Sequence, residues 1–356
     1  MGRHHTPDVP PIRDRTAVRT TLLALAGLTV FVIAMVASYS GAFANPTLHH
    51  MTVAVSAPQQ VVDGLRAEHA LTVHEFGDAA SARAQVLERT ADTAFAVNPD
   101  GHLTVYVAGG GGHSVAAAAE LVGREAAERA GLTPVVEDVA PTSAGDPSGT
   151  VEFYAVIFLS IGASLGAALL GRLMGPVRTP ATLALRTASL SVFSAVLAGV
   201  VTLYTGPVLD ALTGHSWQVF GALWLYSMAV GGAVTGVAAA FGSAASVVLG
   251  LFLVVVGNAA AAGPVGRPLL SGFYSTFTAI VPQGSGVSLL RSISYFGGHG
   301  AAMSWVTLVV WAVTGAVLAT LATAVRVNYR ALYERRVERA GGSRTLLRPG
   351  LLSSTD

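Results

Sequence analysis

Val107 to Val122 reads VAGGGGHSVAAAAELV: a strand-like stretch, four glycines, then an alanine-rich helical pattern. A glycine-rich turn that opens a helix exposes backbone N–H groups, and the helix dipole adds to their pull on a phosphate. Nucleotide hydrolysis asks for more, a GxxxxGK[ST] pattern whose lysine reaches the terminal phosphates. All 21 basic residues of this chain are arginine, so that lysine does not exist. The loop is therefore read as a flexible surface connection between strand and helix. His113 beside it, and His49, His50, His69, His74 and His102, stand at no metal-ligand spacing, so no metal site is expected. The absence of cysteine excludes disulfides, thiolate sites and a cysteine nucleophile. No catalytic arrangement is recognised among the Ser, His and Asp residues. Neither an enzyme nor a cofactor is expected.

The remaining spacing with physical content belongs to small residues. Gly162 and Gly166, and again Gly232 and Gly236, form GxxxG pairs within apolar runs, a pattern that lets helix backbones approach closely and holds helices or subunits together. Uncharged polar residues lie in the same runs, among them Ser160, Ser164, Thr202, Ser227, Thr235 and Asn258, and are read as hydrogen-bonding between helices.

Those runs define the class. Of the residues, 52% are hydrophobic and only 12% charged, against about 25% charged in soluble domains. Thr20 to Phe43 is uncharged and long enough to cross a hydrocarbon core of about 30 Å. A cleaved secretory signal is the competing reading of this segment, because arginines precede it and Ala42-Phe43-Ala44 suits a peptidase. Five further apolar segments follow: Glu152 to Leu170, Ala188 to Leu209, Trp217 to Phe241, Ser243 to Val265 and Met303 to Val325. The expected fold is a polytopic α-helical membrane protein with six transmembrane helices. Arginines cluster before the first segment, at Arg172, Arg178 and Arg186, and from Arg326 onward, which places both termini in the cytoplasm of a cell-membrane protein.

Between the first two segments, residues 44–150 alternate strand and helix patterns and read as a small extracytoplasmic α/β domain. It carries 13 acidic against five basic residues, which argues against nucleic acid or anionic lipid as its partner. The full division is a cytoplasmic arm over 1–19, the first helix over 20–43, the α/β domain, a five-helix membrane domain over 151–327 and a basic tail over 328–356. Two interfacial helices are expected within about 266–300, near Pro268 to Ile280 and Val287 to Tyr295, in a stretch too polar to cross and rich in aromatic residues. Glu152, Asp210 and His215 fall at the outer boundary within reach of water. The spans thus hold no carboxylate relay, and any pumping must draw energy from a partner.

The order of these parts resembles that of type 2 ABC exporter permeases, the ABC-2 family, in the branch of YhgE and the phage infection protein. Local sequence carries it as well: ASYSGAFANPTLHHMTVAV at the exit of the first span, DVAPTSAGDPSGTVEFYAVIFLSIGASLGAALLG leading into the second, and IVPQGSGVSLLRSISYFGG before the last. The similarity covers most of Ser38 to Val325. It implies a homodimer among membrane lipids, coupled to a cytoplasmic ATPase subunit through the N-terminal arm near Arg13 to Arg19 and the loop Gly171 to Thr187 with Arg172, Arg178 and Arg186. The function it implies is export of a hydrophobic or amphipathic compound. The alternative is a scaffold or receptor whose outer domain binds a partner.

Overall fold

The computed structural model describes residues 15–345. The sequence-based arm over 1–19 lies mostly outside them, as does the end of the basic tail.

Helix α1 (Arg15–Phe43) leads into a five-stranded sheet. Its elements run β1 (Met51–Ser56), α2 (Gln59–Arg66), β2 (Leu71–Glu75), α3 (Ala79–Leu87), β3 (Thr93–Val97), β4 (His102–Val107), α4 (His113–Ala130) and β5 (Thr133–Asp138). The order is β2-β1-β3-β4-β5. Pairing is parallel except between β3 and β4, a hairpin with Ala96 opposite Thr104 whose turn residue Gly101 has φ +83°. β1, β3 and β4 are the inner, most buried strands, as their apolar runs require of strands covered on both faces. One face is covered by α4, where Gly123 leaves room for Val105 of β4; an added Cβ would overlap the valine side chain. The other is covered by α3 through Ala82 and Val86.

The apolar helices are α5 (Val151–Met174), α6 (Pro180–Leu203), α7 (Ser216–Phe241), α8 (Ser243–Phe252) and α11 (Ala302–Thr345), with α9 (Gly272–Ile280) and α10 (Pro282–Tyr295) between the last two. Among the described residues, α1, α5, α6 with its π-helical extension to Val208, α7, and the Ala302–Arg330 part of α11 are apolar and long enough to span a membrane. α7 is the central helix, in contact with α5, α6, α8, α10 and α11. The apolar stretch of α1 is uncovered, and α1 is tied to the rest near its end, where Ser38 donates to the Val255 carbonyl and accepts from the Tyr274 hydroxyl.

Three sequence expectations need correction. The segment Ser243 to Val265 is not helical throughout: α8 passes into a π-helical turn over Leu253–Gly257 and the helix ends at Ala259. At 1.5 Å per residue that helix falls short of the roughly 30 Å core. The chain nonetheless continues to the α/β unit, where the Gly266 N–H meets the Ser114 hydroxyl at 3.0 Å. The third apolar helix begins at Pro180 rather than Ala188, because Thr179 and Thr182 close a capping box around a proline at the first helical position. Finally, the two helices expected near Pro268 to Ile280 and Val287 to Tyr295 are α9 and α10, and the second begins at Pro282, five residues earlier than Val287.

Candidate functional site

The four glycines hold the α/β unit against α10, and their N–H groups are already spent. Gly109 donates to Asp138 Oδ1 at 3.1 Å, Gly110 to the Ala140 carbonyl at 2.8 Å, Gly111 to Ala108 and Gly112 to Gly109. The four glycines thus keep no N–H group free for a phosphate. The absence of side chains serves packing: a Cβ on Gly110 would stand 2.7 Å from Tyr295 Cβ, and Gly112, at φ +143°, adopts a backbone that only glycine takes easily.

Across this seam three arginines from distant parts of the chain converge. Arg291, on α10, is 4% exposed and donates to four carbonyls: Gly111 (3.1 Å) and Ala262 (3.2 Å) from Nη1, Gly149 (3.3 Å) and Gly263 (3.0 Å) from Nη2. The carbonyl pair at 262–263 is presented because the chain has left its helix, and Ala262 sits in the left-handed region at φ +56°. Arg89 follows α3. Its Nη1 donates to the Ser288 carbonyl and the Ser292 hydroxyl, and its guanidinium lies 4.9 Å from the centroid of the Phe296 ring. Arg267 lies exposed in the connection before α9, and its side chain makes no hydrogen bond or ion pair among the described residues.

These arginines line one cavity of about 330 Å³ between the α/β unit, α10, and the start of α11. The carboxylate on its wall is Asp92, whose Oδ2 accepts from the Thr52 N–H at 2.8 Å. Burial pushes the Arg89 guanidinium down to about 10, and the positive charge of Arg291 adds to the effect. Burial likewise raises the Asp92 carboxyl, although Thr52 and the two arginines Arg89 and Arg267 oppose it. Nearby, Glu152 at the start of α5 is fully buried, not bathed in water at a boundary as its sequence position suggests. The Tyr295 hydroxyl faces Glu152 and Ser143, but no hydrogen bond of good geometry closes among them. Burial and the neighbouring carboxylate push the Tyr295 phenol far up.

Below the seam, the broken helix is held by a second polar group. Gln283 of α10 is fully buried, and its Nε2 donates to the Leu253 carbonyl at 2.8 Å, inside the π-helical turn, and to Ser160 Oγ at 3.1 Å. A Cβ on Gly257 would stand 2.7 Å from Gln283 Oε1. Asn258 reaches the Ile157 carbonyl at 3.5 Å. Of the other polar residues noted in the sequence, Ser227 bonds to Ser194 of α6 at 2.9 Å and Thr202 to its own helix.

The glycine pairs face helix neighbours unequally. Gly162 lies against Leu197 of α6, and a Cβ on Gly166 would stand 2.8 Å from Phe193 Cδ1. Gly236 meets the backbone of Gly315 on α11, where a Cβ would come within 2.8 Å of the Gly315 Cα, whereas one on Gly232 would find nothing nearer than 3.9 Å. Gly315 is the partner that the spacing in the sequence did not supply. Gly162 to Gly166 also spells GxSxG, which the sequence reading passed over; it lies mid-helix in α5 with Ser164 buried, not in the strand-to-helix elbow that exposes a hydrolase nucleophile.

The expected coupling loop is shorter than the span Gly171 to Thr187. Arg172 and Arg178 are exposed, but Arg186 is buried on α6, donating to Ala167 and Gly175 carbonyls, so it staples α6 to α5. Arg326 of α11 ties the same end together through the carbonyls of Val177 and Ala239.

No protein-family model matches the chain, and no curated protein or solved structure matches it either.

Proposed function

We propose that the chain is the membrane permease subunit of an exporter for a hydrophobic or amphipathic compound, as in the ABC-2 family it resembles, with ATP hydrolysed by a separate cytoplasmic subunit. The observation that carries this reading is the π-helical turn inside the apolar bundle: α8 widens at Leu253–Gly257, and the Leu253 carbonyl, which accepts the Asn258 N–H, also accepts from the buried Gln283. A π-helical turn is rare and is found frequently at functional sites. A plain anchor has no use for one.

In this reading the chain crosses the membrane six times, the fifth crossing being the short α8 and its irregular continuation. That passage runs from the end of α7 near Arg326 to the α/β unit, and the parity supports cytoplasmic termini with the α/β unit outside. Arg172 and Arg178 are left free to meet an ATPase subunit, and the uncovered face of α1 is available to lipid or to the second copy in a homodimer. The test is gentle purification from the native membrane followed by mass spectrometry. A stoichiometric ATPase subunit is the expected result; an extracellular protein co-purifying in its place would favour the scaffold or receptor alternative.

A further inference from the structure

We propose that the cavity walled by Arg89, Arg267 and Arg291 binds the oxyanion headgroup, phosphate or carboxylate, of an amphiphile whose apolar part lies toward the membrane helices. Three guanidinium groups against the one carboxylate of Asp92 leave the wall with an excess of positive charge, in a chain whose outer loops otherwise carry few arginines. Arg89 and Arg291 repel each other across the seam, and like charges withdrawn from water are costly unless something compensates them. Asp92 compensates poorly, being committed to the Thr52 N–H.

The backbone points the same way. Arg89 has φ +60°, at a position just after α3 where helices commonly place glycine, and an arginine held there is strained. Its side chain is thereby directed to the cavity and to α10. Arg291 spends its four hydrogen bonds on carbonyls and contributes charge rather than contacts. Arg267 makes no side-chain hydrogen bond among the described residues; its charge acts on Asp92, and its exposed guanidinium keeps its donors for a ligand oxygen. Guanidinium groups suit planar or tetrahedral oxyanions by forming paired hydrogen bonds. Elsewhere the lining is small or apolar, with Ala279, Val287 and Met303, and the volume of about 330 Å³ accommodates a headgroup and the start of a chain.

This deepens the export reading and rests on it only for the claim that the bound compound is moved. Binding itself is measured without transport, on the full chain in phosphatidylcholine nanodiscs at pH 7.5. Dihexanoyl phosphatidic acid, dihexanoyl glycerol and inorganic phosphate are titrated by calorimetry. The phosphatidic acid is expected to bind saturably and the uncharged glycerol not at all. Arg267→Gln, which breaks no internal bond, should weaken binding at least about tenfold, the loss of one charge-assisted hydrogen bond. Asp92→Asn should tighten it, and Arg330→Gln, on the opposite arginine-rich end, should leave it unchanged. Equal binding of the glycerol, or full affinity in Arg267→Gln with loss in Arg330→Gln, would overturn the proposal. Inorganic phosphate binding as tightly as the lipid would overturn the amphiphile part of it. Saturable, Arg267-dependent binding in a protein that transports nothing would uphold the site and sink the permease reading instead.

Discussion

Gly236→Ala should loosen the central helix pair. Gly236 on α7 and Gly315 on α11 touch backbone to backbone: the added methyl would stand 2.8 Å from the Gly315 Cα and overlap its carbonyl oxygen, and a Cβ on Gly315 would in turn lie 2.5 Å from the Gly232 carbonyl carbon. Carbon atoms rest at about 3.5–4.0 Å, so α7 and α11 must part by roughly 1 Å. No side chain can rotate aside to relieve the overlap. Overpacking of this kind costs about 1–3 kcal/mol, and α7 with α11 is the most extensive helix pair among the described residues. Alanine also favours helix over glycine by up to about 1 kcal/mol, which offsets part of the cost. Controls isolate that term. Gly232→Ala would place its methyl 3.9 Å from the nearest atom, and Gly250→Ala would meet nothing within 4 Å. Melting followed by intrinsic tryptophan fluorescence in detergent should show Gly236→Ala several degrees below both controls, at about 2–4 °C per kcal/mol. Equal melting temperatures for the three variants would refute backbone contact between α7 and α11.

Further outcomes follow from the same geometry. Because the chain lacks cysteine, Ala80→Cys should react with a membrane-impermeant thiol reagent in intact cells and Ser343→Cys should not; the reverse pattern would invert the topology. The isolated chain should neither bind nor hydrolyse ATP, since its glycine-loop N–H groups are occupied; turnover in a preparation free of other subunits would contradict this. The raised carboxyl of Asp92 means that the folded state holds its proton more tightly than the unfolded state, so this group's contribution to stability falls as pH rises from about 4 through the raised value. Asp92→Asn should flatten that slope and be at least as stable as the parent at pH 7, measured by melting across pH 4–7. A steeper slope would show the carboxylate to be stabilising.

The order of strands and helices between Met51 and Asp138 was legible because alternation and helical period change sharply at Pro58, Asp78 and the Asn98–Gly101 turn, and local signals of this kind need no tertiary help. Long apolar helices were legible for the same reason. The break in the fifth segment was not. Leu253 to Ala262 is apolar apart from Asn258, and the group that meets its π-helical turn is distant in sequence: the amide of Gln283, about thirty residues later, also bonds the Leu253 carbonyl. The arginine cavity was illegible because each of its arginines stands alone in sequence, and Arg89 takes a left-handed position after α3 that no sequence pattern announces for an arginine. One signal was available. Arg291 in SLLRSISY is flanked by apolar residues in a segment assigned to the membrane surface, and an arginine so placed needs a partner. Glu152 was misjudged by counting depth along one helix; α10 and Tyr295 cover it from the side.

Export of an anionic amphiphile is tested most directly in proteoliposomes containing the chain with its co-purified ATPase subunit. A fluorescent phosphatidic acid analogue is loaded into the bilayer, and its distribution between leaflets is read by quenching with an impermeant reductant after ATP addition. The expected result is ATP-dependent accumulation in the leaflet that faces the α/β unit, abolished by Arg267→Gln. ATP hydrolysis with no change in the leaflet distribution of the analogue would contradict it.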